Sequence, residues 1–184
     1  MFGFGRKGGK GPVVQTAVVG SREHGKSTVA RALSELLPYE YRQPPQPAGQ
    51  FSTGRGPYQL YDCLDPADFQ SRLAVGADQL GGVLLVVAGD EGPMPETREY
   101  LEAASAAGVT EVAVFLNKLD VLNDPDVEIV IELEIRELLE ELGFQGAELP
   151  IVQGSALQAL HNADSRKGRR DVLRLADEMD RLFR

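Results

Sequence analysis

The sequence GSREHGKS at residues 20–27 decides the fold class of this chain. It matches the pattern G-x-x-x-x-G-K-[ST], in which glycines let several backbone N–H groups converge on phosphate oxygens. An apolar run rich in β-branched residues precedes it at residues 13–19, and a run with helical spacing follows at residues 27–37. The order of strand, glycine-rich loop and helix N-terminus predicts a phosphate-binding loop, whereas a chance glycine-rich turn would lack these neighbours.

Strand and helix patterns alternate along the rest of the chain. Apolar runs predict strands at residues 50–53, 58–63, 83–88, 111–116 and 149–152. Helical spacing predicts helices at residues 68–75, 95–107 and 171–183, and another that Asp124-Pro125 opens and Gly143 closes. Pro38 is expected to end the first helix, with a proline-rich loop to residue 57. The alternation favours an α/β fold, with a parallel sheet covered on both faces.

Length, charge and cysteine content limit the classes of function. The 184 residues carry 28 acidic and 19 basic side chains, a net charge of −9, which disfavours DNA as a partner. The longest apolar run, residues 83–88, is too short for a membrane span. The single cysteine excludes an internal disulfide and favours a cytoplasmic setting. We expect residues 1–12 to form a flexible, basic, glycine-rich tail and residues 13–184 to form one domain.

Two further loops suggest recognition of a guanine base. Asn117, Lys118 and Asp120 directly follow the predicted strand at residues 111–116. A carboxylate at Asp120 can accept hydrogen bonds from the N1–H and 2-amino groups of guanine, a pair of donors that adenine lacks. Asn117 can hold both the loop and the base, and the Lys118 stem can lie over the base plane. The GSAL sequence at residues 154–157 follows the last strand, where a backbone N–H could reach the guanine O6.

Taken together, these motifs resemble the GTP-binding domain of elongation factor Tu and its translational GTPase relatives. The resemblance rests on the loop with His24, on GPMPETRE at residues 92–99, on FLNKLD at residues 115–120 and on GSAL. It implies a P-loop NTPase three-layer sandwich with a mostly parallel six-stranded sheet, GTP or GDP as ligand, and Mg²⁺. The implied nucleotide-binding residues are Gly20, Glu23, His24, Gly25, Lys26, Ser27, Thr28, Asn117, Lys118, Asp120, Ser155, Ala156 and Leu157.

The chain departs from this family at the γ-phosphate side of the site. Where relatives have D-C-P-G-H, residues 62–66 read DCLDP. Asp62 is retained, and with Ser27 it is the implied Mg²⁺ site. Asp65 replaces the glycine whose N–H meets the γ-phosphate, and Pro66 replaces the histidine that orients the attacking water, so no catalytic residue is assigned. Gln43 takes the place of the switch threonine, and Thr53 is expected to be a strand residue.

These features predict a guanine-nucleotide-binding domain with weak or absent intrinsic GTP hydrolysis. Two alternatives remain open: an active GTPase switch that uses a partner or another residue to position water, and a pseudo-GTPase scaffold for protein–protein interaction. A P-loop kinase or ATPase is disfavoured by residues 117–120. We expect an unidentified protein partner, no membrane association and no tRNA delivery, since the chain ends where the first domain of elongation factor Tu ends.

Overall fold

A six-stranded sheet forms the centre of the protein. The computed structural model describes residues 9–122, 124–161 and 168–183. The strands are β1 (Val14–Val19), β2 (Gln50–Ser52), β3 (Pro57–Asp62), β4 (Leu80–Ala88), β5 (Val112–Asn117) and β6 (Ile151–Gln153). They are arranged in the order β2-β3-β1-β4-β5-β6, and only β2 is antiparallel to its neighbour. The predicted mostly parallel six-stranded sheet is confirmed.

Helices cover both faces of the sheet. They are α1 (Lys26–Glu40), α2 (Pro66–Gly76), α3 (Pro95–Ala106), α4 (Pro125–Glu141), α5 (Ala156–His161) and α6 (Arg169–Leu182), with a 3₁₀ helix at Ala77–Gln79. Side chains of β4 alternate between two hydrophobic cores. Val83 and Leu85 pack with α2, α3 and α4, whereas Leu84 and Val86 pack with α1, α5 and α6. This arrangement confirms the α/β three-layer sandwich.

Three local expectations differ from the structure. Pro38 does not end α1, because it lies in the last turn, where it loses a single N–H donor, and the Tyr41 N–H still bonds to the Leu37 carbonyl at 2.9 Å. The sequence analysis missed α5, which at six residues is too short to show a helical period. Thr53 lies one position past β2, in the turn that leads to β3.

The turn between β2 and β3 is a corner at which both described ends of the chain meet. The backbone N–H of Gly9 donates to the Thr53 carbonyl at 2.8 Å. The Thr53 hydroxyl donates to the Asp180 carboxylate of α6 at 2.6 Å, and the Arg55 guanidinium donates to the Phe183 carbonyl at 3.3 Å. Of the predicted tail, residues 1–8 lie outside the described part of the chain.

Candidate functional site

The candidate site lies at the edge of the sheet where the parallel strands have their carboxyl ends. In open α/β sheets this edge is where ligands bind, because the loops that follow neighbouring strands meet there. Here those loops follow β1, β3, β4, β5 and β6, and they surround two cavities. One cavity contains the phosphate-loop residues and the other contains the residues predicted to recognise the base.

Glycines of the phosphate loop occupy positions where a side chain would not fit. Gly20 has φ of 144°, and a Cβ there would lie 2.2 Å from the Val86 carbonyl oxygen. Gly25 has φ of 88°, and its Cβ would lie 2.5 Å from the Asn117 amide nitrogen. Both values are far below van der Waals contact, so the loop packs against β4 and β5 only with glycine at these places.

Lys26 begins α1 and lies almost entirely inside the loop. Its ammonium donates hydrogen bonds to the carbonyl oxygens of Gly20 at 2.8 Å and Ser21 at 3.3 Å. Burial lowers the pKa of Lys26 from its ordinary value, and the nearby Asp62 carboxylate opposes this effect. A buried cation that is paired only with neutral carbonyls gains strongly from an anionic ligand, which is the situation a phosphate-binding lysine requires.

We call the first pocket the phosphate cavity, and it encloses about 500 Å³. Its floor is the phosphate loop, and its wall is the segment after β3 together with the start of α3. The lining residues are Gly20, Ser21, Arg22, Lys26, Ser27, Asp62, Cys63, Leu64, Asp65, Pro66, Glu96 and Tyr100.

The two residues predicted to bind Mg²⁺ are in contact with each other. The Ser27 hydroxyl donates a hydrogen bond to the Asp62 carboxylate. A hydroxyl and a carboxylate oxygen are hard donors of the kind that Mg²⁺ takes, and Mg²⁺ usually completes its shell with waters and phosphate oxygens rather than with further side chains. The donor set at this place therefore fits Mg²⁺ bound together with a nucleotide.

Asp65 has a structural role that the sequence analysis did not assign to it. It is the N-cap of α2, and its carboxylate accepts a hydrogen bond from the Asp68 backbone N–H at 2.8 Å. Pro66 is the first residue of the helix, where a missing N–H costs nothing. The segment thus offers the phosphate cavity a carboxylate and an apolar ring, and no imidazole to orient water.

Asn117 joins three of the five loops of the site, those after β1, β5 and β6. This side chain, at the end of β5, is only 3% exposed. Its amide nitrogen donates to the His24 carbonyl in the phosphate loop at 2.9 Å, and its amide oxygen accepts from the Ala156 N–H at 3.0 Å. The expectation that Asn117 holds the loop agrees with this geometry. The Ala156 amide is directed at Asn117 in this structure.

We call the second pocket the base cavity, and it encloses about 340 Å³. Its lining residues are Thr28, Asp90, Asn117, Lys118, Asp120, Val121, Ser155 and Leu157. Lys118 has φ of 63°, and its ammonium lies 3.9 Å from the Asp90 carboxylate and 3.7 Å from that of Glu91. Most of the residues predicted to contact the base are therefore brought together around one space.

Some predicted residues lie outside both cavities. Glu23 and Gln43 line neither of them. His24 is completely buried below the phosphate loop, and its Nδ1 lies 3.3 Å from the Val86 carbonyl oxygen. Its Nε2 has no hydrogen-bond partner among the described residues and lies 3.9 Å from the Glu91 carboxylate. Burial lowers the pKa of His24 below its ordinary value, so the position suits a neutral imidazole that shapes the loop.

The sequence analysis missed three acidic residues of the site. Asp90 and Glu91 pair with Lys118, and Glu96 at the start of α3 accepts a hydrogen bond from the Ser21 hydroxyl at 3.3 Å. All three follow β4, whose carboxyl end lies beside the phosphate loop. Their position after a buried parallel strand was the available signal, because the loops after neighbouring parallel strands meet at one edge.

A comparison with known protein families matches most of the chain. The model of the family described as "Elongation factor Tu GTP binding domain" matches residues 45–183, well over half of the chain. The matched region includes Asp62, the segment after β4, Asn117 and the loop after β6. The phosphate loop lies before residue 45, and its assignment rests on its own motif and geometry. Within the described residues, no helix is long and apolar enough to cross a membrane.

Proposed function

Because the chain belongs to the family of elongation factor Tu GTP-binding domains, we propose that its two cavities together bind one guanine nucleotide with Mg²⁺ and that it hydrolyses GTP weakly or not at all. The observation that carries this proposal is the Asn117 junction, which connects the phosphate loop to the base cavity through two buried hydrogen bonds.

The described side chains support a specific arrangement of the nucleotide. Lys26 supplies the charge for the β- and γ-phosphates, and Ser27 and Asp62 hold Mg²⁺ at the same end. Asp120 lines the base cavity, where its carboxylate accepts from the N1–H and 2-amino groups of guanine. Thr28, Ser155 and Leu157 enclose the base, and the Lys118 stem covers it. Mg²⁺ neutralises phosphate charge when it is bound.

Weak hydrolysis follows from the segment after β3. Enzymes of this class accelerate the reaction by positioning water and stabilising charge, and they do little covalent chemistry themselves. Pro66 has no polar side-chain atom and no N–H, so it cannot orient water. Asp65 puts a negative charge in the phosphate cavity. Repulsion of about 1 kcal/mol in water, and more in a partly dry site, disfavours an additional phosphate there.

Titration with fluorescent analogues of GDP, GTP and ATP tests the proposal on nucleotide-stripped protein in Mg²⁺. We expect tight GDP binding, GTP binding no tighter than GDP, and no ATP binding. Asp120→Asn provides the matched control, because it replaces one of the two acceptor oxygens that guanine requires with an NH2 donor and leaves the phosphate cavity unchanged. Equal affinity for ATP, or an unaltered guanine affinity in Asp120→Asn, would contradict guanine recognition.

Release of inorganic phosphate from GTP distinguishes the alternatives on the same protein. Little release supports a binding domain or a pseudo-GTPase scaffold. Rapid release by the isolated protein would establish the active-switch alternative, with another of its own residues positioning water. We also propose that residues 13–184 form the nucleotide-binding domain behind a basic tail of residues 1–12, in a cytoplasmic protein that presents its nucleotide state to a protein partner.

A further inference from the structure

Arg22 is a cation of the phosphate cavity to which the proposed function assigns no role. It is the third residue of the phosphate loop, and its side chain is exposed. The three carboxylates that line the same cavity are each engaged: Asp62 with Ser27, Asp65 with Asp68, and Glu96 with Ser21. Across the described residues, the Arg22 guanidinium has no hydrogen bond or ion pair, so its donors are available to a ligand.

The position of Arg22 relative to Lys26 indicates which part of a nucleotide it would meet. Arg22 lines the phosphate cavity and not the base cavity. Lys26 lines the same cavity, so the two cations face one space. Lys26 serves the β- and γ-phosphates in loops of this type. Arg22 therefore lies near the phosphate end of the nucleotide.

The balance of charges in the phosphate cavity indicates a role for the Arg22 guanidinium. Among the residues that line the cavity, Asp62, Asp65 and Glu96 face two cations, Lys26 and Arg22, in addition to the proposed Mg²⁺. A terminal phosphate would add further negative charge beside Asp65. A guanidinium carries a planar fork of donors that matches phosphate oxygens and is easier to desolvate than an ammonium. It can thus offset the carboxylates at the place where relatives use a glycine N–H.

We propose that the Arg22 guanidinium binds the terminal phosphate of GTP and thereby determines whether this domain accepts GTP as well as GDP. The inference rests on the proposed function, since it requires guanine nucleotide in the two cavities. Arg22 compensates for Asp65 and Glu96, so GTP affinity stays near GDP affinity with Arg22 present and falls well below it without Arg22.

Fluorescent GDP and a slowly hydrolysed β,γ-imido analogue of GTP test this role in Arg22→Ala, Arg22→Lys and the unaltered protein. We expect Arg22→Ala to weaken the GTP analogue by roughly tenfold, about 1.4 kcal/mol, and GDP by less than about threefold. The affinity of Arg22→Lys for the GTP analogue should lie between those of Arg22→Ala and the unaltered protein, because lysine keeps the positive charge and lacks the planar fork of donors. Arg31→Ala is the matched control, since Arg31 is an exposed arginine of α1 paired with Glu35.

Each other outcome overturns the inference. Equal weakening of both nucleotides by Arg22→Ala would place Arg22 on phosphates that GDP and GTP share. Unchanged affinity for both would make it a solvated side chain. If the unaltered protein binds no guanine nucleotide, the proposed function fails and this inference fails with it. If GDP binds tightly but Arg22→Ala leaves the ratio of GTP to GDP affinity unchanged, only the inference is refuted.

Discussion

Replacing Asn117 by alanine should both destabilise the domain and disconnect its base cavity. The side chain is 3% exposed and makes two hydrogen bonds, of 2.9 Å and 3.0 Å, to loops that are distant in sequence. Alanine leaves the His24 carbonyl and the Ala156 N–H without these partners. A buried polar group that loses its partner costs about 1–3 kcal/mol, so we expect a loss of about 2–4 kcal/mol after partial access of water.

Urea unfolding of nucleotide-free protein measures this loss without the stabilisation that a bound ligand adds. For a domain of this size, each kcal/mol lowers the melting temperature by about 2–4 °C, so a fall of about 6–12 °C should accompany a loss of about 3 kcal/mol. Titration with fluorescent GDP should show a large loss of affinity at a temperature where the variant remains folded.

Gln59→Ala is a suitable control, because Gln59 is a half-buried amide on the sheet whose side chain accepts from Gln50 at 2.9 Å and donates to the Leu60 carbonyl at 3.1 Å. It should cost less than about 1 kcal/mol and leave GDP affinity unchanged. If Asn117→Ala behaves like this control in both measurements, the two buried hydrogen bonds do not hold the loops together, and the argument that connects the cavities fails.

Further predictions concern the cap of α2, the buried histidine and the end of α6. Asp65→Asn keeps an N-cap and removes a charge, so it should raise GTP affinity relative to GDP affinity and leave stability unchanged. Asp65→Ala should lose about 1 kcal/mol of stability in urea unfolding, because it removes the cap. An unchanged ratio of GTP to GDP affinity in Asp65→Asn would contradict a role for that charge. Since burial lowers the pKa of His24, the unfolded chain binds more protons below the ordinary value of 6.5, and stability should fall as pH drops from roughly 7.5 to 5.5. His24→Gln should flatten this dependence of stability on pH. Glu91, Lys26 and Lys118 also act on the imidazole. An equal slope of stability against pH in both proteins would exclude His24 as the source of the dependence. Gly82→Ala should destabilise the domain by more than about 2 kcal/mol, because its Cβ would lie 2.3 Å from the Phe183 ring. Adding Phe183→Leu to this variant should recover part of the lost stability. If the costs of the two substitutions add in the double variant, the contact between these residues is not the cause.

Local motifs account for the parts of this molecule that the sequence predicted well. The phosphate loop and residues 117–120 each follow a buried strand. The motif specifies glycine at positions 20 and 25, where a Cβ would lie too close to Val86 and Asn117. The predicted helix start at Asp124-Pro125 is confirmed, with Asp124 as the N-cap. The same pattern at Asp65-Pro66 also caps a helix, α2, although the sequence analysis assigned these residues only as departures from the family motif.

Contacts between distant segments account for what the sequence did not predict. The pairing of Glu91 with Lys118, its position 3.9 Å from the His24 imidazole, and the hydrogen bond from Ser21 to Glu96 all depend on how the loop after β4 turns, which no local pattern specifies. The continuation of α1 past Pro38 depends on the tertiary burial of its last turn, where Leu37 and Pro38 pack inward. Helix propensity predicts that α1 ends at Pro38, but the packing of this last turn keeps it helical.

The corner between β2 and β3 also determines how the domain can be held from outside. Gly9 and Phe183 both contact this turn, which precedes β3, whereas β3 ends at Asp62 in the phosphate cavity. Attachments next to Gly9 or Phe183 therefore leave from the edge of the sheet opposite the nucleotide. A tether at either place would fix the domain to a sensor surface with its nucleotide face turned toward the solution.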